Sequence, residues 1–173
     1  MLALNILDIP RLMSALLTGS LFDEFTLTEA SITTFYTMTI DGRLEKSFFS
    51  GEEEQQTENT EAAVKTEPEY VRWKDVKPRC FEMIKGKRIP LFFRFVFYLP
   101  KEKLDDFWKC SGLRADPALV SGLCLNLRFN GQTLVATTGT SLKTFTPDRS
   151  IDNAWDDYVK RFLKEASITA EEV

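Results

Sequence analysis

Histidine is absent from all 173 residues. That excludes Ser-His-Asp and Cys-His activation of a nucleophile, general acid–base work by imidazole, and histidine-ligated zinc. Cysteine is scarce. Cys80, Cys110 and Cys124 are odd in number and form no CxxC pair, so they read as reduced thiols of a cytoplasmic protein, with Cys80 partly buried on its helix face. No apolar run approaches the roughly 20 residues that span a bilayer. The opening MLALNILDIPRL has no basic start and meets Asp8 early, unlike a signal peptide. Gly86-Lys87 lacks the preceding glycine and the following Ser or Thr of a phosphate-binding loop. Asp152, Asp156 and Asp157 fall at helical spacing in a first turn, where the helix dipole already favours acid. Gly139-Thr140-Ser141 reads as a structural turn. No cofactor, no metal and no catalytic set is therefore expected.

What is present is ample apolar material and an uneven charge. Hydrophobic residues make up 43% of the chain and include fourteen Phe, enough for the core of one domain over 1–173. Glu52 to Glu69 carries seven Glu against one Lys, a balance of −6 within a net −4, so the remainder carries +2. The acidic pI near 5.1 thus reflects one segment and does not exclude an anionic partner. Residues 51–70 have no hydrophobic period and read as a flexible acidic segment.

The densest basic charge and the densest aromatic run lie together in RWKDVKPRCFEMIKGKRIPLFFRFVFY, Arg72 to Tyr98. Trp73, Val76, Cys80, Phe81 and Ile84 share one helix face, predicting a connecting helix over 74–85 that is loose before Lys77 because of Pro78 and ends at Gly86. Leu91 to Tyr98 alternates and reads as a strand buried on both faces. From Arg72 to Lys103 there are ten Lys or Arg against three Asp or Glu. Lys74, Lys77, Arg79, Lys85, Lys87 and Arg88 are the candidate phosphate or nucleic-acid donors. A solvated helix face carries similar charge without binding anything.

Elsewhere the periodicity predicts a strand over 2–7 and a helix capped by Asp8. Strands follow over 22–29 and 31–40, with a hairpin at Asp41-Gly42 and a return strand over 43–49. After the connector come a helix from Pro100 to Ser111 and a strand from Gly122 to Phe129. A hairpin at Asn130-Gly131 leads to strands over 133–138 and 141–146. A helix capped by Ser150 runs over 151–166, followed by a frayed tail. Residues 2–49 and 90–146 therefore read as tandem β-α-β-β-β units, each followed by a helix. The expected fold is α+β, with a largely antiparallel sheet covered by helices on one face.

Two such units in tandem resemble one domain of a DNA sliding clamp, and LVATTG (134–139) is similar to the strand and turn near the end of a clamp unit. The resemblance implies a clamp-like two-layer topology. The basic charge sits on the connector and not on the first helix, so it does not extend to encircling DNA. Through EASITTFYTMTIDGRLEKSFF, RWKDVKPRCFEMIKGKRIPLFF and LVATTGTSLKTF, the chain also resembles a family of small bacterial proteins, mostly from Firmicutes, that carries no assigned activity.

Three function classes follow. The first is a non-catalytic module that binds a protein partner, or a second copy as a homo-oligomer, through a sheet edge. The second is a nucleic-acid-associated protein using the basic connector 72–103. The third is an enzyme without histidine, which requires a concave pocket where two carboxylates, or a carboxylate and a lysine, converge.

Overall fold

A computed structural model describes residues 1–48 and 68–173. Among these, four helices pack on one face of an antiparallel sheet of eight strands. The elements in chain order are β1 (Ala3–Ile6), α1 (Ile9–Leu17), β2 (Thr26–Thr33), β3 (Thr37–Asp41), β4 (Val71–Arg72), α2 (Trp73–Ile84), β5 (Phe92–Tyr98), α3 (Lys101–Ser111), β6 (Val120–Phe129), β7 (Leu134–Leu142), α4 (Ser150–Glu165) and β8 (Ala170–Glu172). The spatial order is β3-β2-β5-β6-β7-β1-β8, with β4 paired to the start of β2. Strand, helix, strand, strand, then helix recurs in β1-α1-β2-β3-(β4)-α2 and in β5-α3-β6-β7-α4.

One continuous core lies between the layers. Because side chains alternate along a strand, Phe93, Phe95 and Phe97 of β5 point to the helices, beside Leu123, Leu125, Leu127 and Phe129 of β6. Leu12 and Leu16 of α1, Phe107 of α3, and Ile151, Trp155, Val159 and Leu163 of α4 close over them. Trp73 is fully buried. Its indole N–H donates to the carbonyl of Leu16 at 2.8 Å, and its ring stands edge-on to Phe95 and Phe97, both 5.1 Å away. Trp155 repeats the device, donating to the carbonyl of Cys124 at 2.8 Å. Two acids expected only to favour a helix dipole instead fasten α4 to β7: Asp156 accepts from Thr138 and Asp152 from Thr140. The opposite face carries Phe92, Arg94, Val96 and Tyr98 and is only partly covered.

Several boundaries differ from the sequence reading. The first hairpin turns at Thr34–Tyr36, where Thr34 N–H donates to Tyr36 O, and not at Asp41-Gly42. A three-residue turn keeps Ile32 opposite Met38, so the alternation runs through it unbroken. Gly42 serves close approach: a Cβ there would lie 1.8 Å from Leu27 O. No return strand forms over 43–48; Arg43 makes an isolated bridge to Tyr70, and Lys46–Phe48 is a 3-10 turn. Phe22 and Phe25 are core residues of the turn before β2. The connecting helix runs from Trp73 through Pro78 to Ile84, and its first-turn N–H groups at Trp73 and Lys74 are held by Phe25 O and Asp23 O outside the helix.

In the second half β7 passes straight through Gly139, which faces Cys124 in the ladder, so strands 133–138 and 141–146 merge and end at Leu142. The cap of α4 is Arg149, with Asp148 accepting from Ser150 N–H. The tail does not fray: Ile168 is buried and β8 pairs with β1. Most of the acidic segment 51–70 lies outside the described residues, and Tyr70, within it, is held by its bridge to Arg43.

Trp73→Phe keeps the aromatic packing and orphans the buried Leu16 carbonyl. It should lower unfolding free energy by about 1–3 kcal/mol, read in urea titration as a lower midpoint at unchanged slope.

Candidate interaction surface

The six basic residues singled out in the sequence are distributed along α2 and the loop after it. Lys77 is inward: its Nζ donates to Gly19 O at 2.8 Å and pairs with Asp23 at 2.5 Å, both on the turn after α1. Lys74 borders a cavity on the helix side. Arg79 lies two residues from Lys77 and so points away from it around the helix. Lys85 is held by Glu82 and lies over the Phe81 ring. Lys87 and Arg88 are exposed in the loop between α2 and β5 and have no ion pair among the described residues. Lys85, Lys87 and Arg88 thus form one neighbourhood, and Lys74, Lys77 and Arg79 do not join it.

That loop delivers the chain to one end of the sheet. Leu91 N–H donates to Thr33 O, the last residue of β2, and Gly131 in the β6–β7 turn lies against Leu91 O. Three connections therefore meet there. They display Phe35 at 94% exposure, Ile89 at 73%, Leu91 at 66% and Tyr36 at 50%. The rings of Phe35 and Tyr36 meet edge to face at 4.7 Å. Nearby, the Arg128 guanidinium lies 5.8 Å from the Phe92 ring. Leu91 has the right parity for the core, but pairing stops at Phe92, leaving it uncovered. Clustered exposed apolar residues of this size mark interaction sites more than single ones do.

The same end borders a free sheet edge. Among the described residues β3 pairs with β2 alone. Thr33 O is used on the β5 side, and Gly42 N–H bonds Thr28 O on the β3 side. In an antiparallel ladder residues alternate in the neighbour they bond, so Ile40 and Met38 bond β2, and Thr37, Thr39 and Asp41 turn their backbone groups outward. The edge contains neither Pro nor Lys, the usual protections.

A convergence of acid and lysine exists elsewhere. A cavity of about 400 Å³ beside the turn after α1 is bordered by Asp23, Glu24, Lys74, Lys103 and Tyr158. Lys103 pairs with Glu24. That hydrogen-bonded pairing, more than any other influence, holds the Glu24 carboxyl below and the Lys103 ammonium above their ordinary ranges. Burial raises the Tyr158 phenol, with Lys103 opposing. The acid and the lysine at this cavity are thus engaged with each other. No group of three or more Cys, Asp or Glu among the described residues is placed to hold a metal ion. No helix there is long and apolar enough to cross a membrane.

The model of the family described as "Family of unknown function (DUF5721)" matches residues 15–171. The chain belongs to this family. The match runs from the last turn of α1 into β8 and so covers both the sheet end and the β3 edge. No curated protein and no solved structure matches the chain. The resemblance to a clamp domain accordingly rests on element order and the LVATTG stretch, with no matching solved structure behind it.

Two measurements test these placements. Lys77→Ala strips Asp23 and Gly19 O of their partner and should cost about 1–3 kcal/mol, whereas Arg79→Ala should change stability by less than about 0.5 kcal/mol; chemical denaturation distinguishes them. Burial pushes the thiols of Cys80 and Cys124 up to about 12 and about 11, and Cys110 is exposed. A thiol-reactive chromophore near pH 8 should therefore titrate one of the three cysteines in native protein and all three in denaturant.

Proposed function

We propose that this protein is a non-catalytic, cytoplasmic protein-interaction module that takes its partner along the outward edge of β3 and over the apolar end beside it. The observation that carries the reading is the coincidence of the two. Outward-facing backbone groups at Thr37, Thr39 and Asp41 run directly into Phe35 and Tyr36, with Leu91 and Ile89 alongside. Strand addition supplies main-chain hydrogen bonds, and adjacent apolar side chains supply the burial that gives such complexes their affinity. A second copy of the chain is one partner of this kind, since two β3 strands pairing around Thr39 would set Thr37 opposite Asp41 and place no like charges face to face. The halves read as a duplicated unit, in which β3 exposes an edge where its counterpart β7 is covered by β1.

A second reading keeps the nucleic-acid role. Lys87, Arg88 and Arg128 stand without acidic partners among the described residues near the same end, and a phosphate backbone would satisfy them.

Selection of random linear peptides on the purified protein, paired with oligonucleotide anisotropy at two salt concentrations, decides between them. Thr39→Pro removes an outward N–H while leaving the β2 ladder intact, and Phe35→Ala removes the most exposed ring. Each should weaken selected peptides, or self-association seen by sedimentation, by about tenfold or more. The interaction reading fails if no peptide is enriched and no self-association occurs. Salt-sensitive oligonucleotide binding that is lost in Lys87→Ala and Arg88→Ala would install the second reading instead.

A further inference from the structure

At the opposite end of β5 from Leu91, a cavity of about 300 Å³ opens between β4, the start of α3 and the beginning of β6. Its aromatic wall is Tyr98, the last residue of β5, and Tyr70, whose rings lie 6.1 Å apart and inclined at 58°. The Tyr98 ring lies against Gly122 of β6. A Cβ there would come within 2.7 Å of the ring.

Among the described residues two register irregularities interrupt this sheet near the cavity, one at Ser121, which lines it, and one at Thr28, two residues from Thr26 in its lining. One residue, Thr28, is extra in β2 against β5, and one, Ser121, is extra in β6 against β7. A bulge costs a ladder bond and re-aims side chains, and bulges concentrate beside functional sites. Here they turn Ser121 toward the cavity and set the start of β2, at Thr26, beside it.

Hydroxyls and a balanced set of charges line the cavity. The hydroxyls of Tyr70, Tyr98, Ser121 and Ser141 have no hydrogen-bond partner among the described residues. Charge is balanced: Glu69 and Glu102 against Arg72 and Lys101, with Arg72 already bonded to Glu102 at 3.1 Å. Burial, reinforced by Cys124, Tyr70 and Glu69, raises the Tyr98 phenol, so it remains a neutral donor. An anion finds no spare buried cation, and a purely apolar ligand would strand four hydroxyls. A ring with an apolar C–H face and hydroxyls around its rim satisfies both sets: its face lies on the tyrosines, and its hydroxyls both donate to and accept from those of the protein. Volumes of this order lie at the small end of ligand sites.

We infer that the cavity between Tyr70, Tyr98, Ser121 and Ser141 is a binding site for a neutral saccharide unit. The inference rests on residues that the β3-edge reading does not use, although β3 leads through Gly42 and Arg43 to Tyr70 in the cavity wall.

Saturation-transfer NMR with glucose, N-acetylglucosamine and maltose, each mixed separately with the intact chain, tests it. At least one sugar should receive saturation from the wild type. Ser141→Leu fills the cavity and should abolish the signal. Tyr98→Phe removes a single hydroxyl and should weaken binding several-fold while circular dichroism stays native. Lys87→Ala should leave the signal unchanged. The site is overturned if none of the three sugars receives saturation from the wild type, or if transfer survives undiminished in both Ser141→Leu and Tyr98→Phe. Should Ser141→Leu not fold, Tyr98→Phe decides alone.

Discussion

The indole of Trp73 ties two helices together over the sheet. Trp73 opens α2, yet it is the residue that fixes α1 against α2 and both against the sheet. Its N–H satisfies a carbonyl in the last turn of α1, and its ring is wedged against two phenylalanines of the central strand. A buried donor must find an acceptor, and here the acceptor lies on a different helix, so orientation of the pair follows from satisfying one atom. The Lys77 contact to the turn after α1 repeats the constraint one turn further along α2. With α1 and α2 so held, the turn containing Phe22 and Phe25 is pressed into the core, where both rings meet Phe97 and Phe162.

Much of this was written in local pattern. The stripe Leu12, Leu16, Leu17 behind the Asp8 cap, the alternation of Phe93, Phe95 and Phe97, and the Asn130-Gly131 turn each follow from periodicity or turn chemistry that depends on a few neighbouring residues. The errors share a cause. Gly42 and Gly139 look like turns, but glycine also appears wherever backbones approach closely or a strand has nothing to pack, and only the neighbour across the sheet distinguishes these uses. Likewise, β8 is three residues with two glutamates; no propensity marks it as strand, and it exists because Ile168 anchors it and β1 offers an edge.

The interaction surface was hidden for a related reason. Alternation reveals which side of a sheet a residue faces and not how far pairing continues. Leu91 and Tyr36 satisfy the pattern of buried strands, and their exposure is decided by where β2, β5 and β6 stop bonding. The basic residues were visible in sequence, but their division was not. Lys77 becomes structural because Asp23 and Gly19 lie opposite it, a fact of tertiary packing, while Lys87 and Arg88 keep their charge free in a loop that helical spacing does not describe.

The first strand is hydrogen-bonded on both sides by strands from the far end of the chain: Ala3 faces Thr137, and Leu4 faces Glu172. The hairpins β2–β3 and β6–β7 close over short loops and can form early, but β1 has no neighbour until nearly the whole chain is available. Long loops close at an entropic cost and late in folding. β1 is therefore among the last strands to be satisfied, and its apolar residues Leu4 and Ile6 stay uncovered until β7 and β8 are in place to flank it.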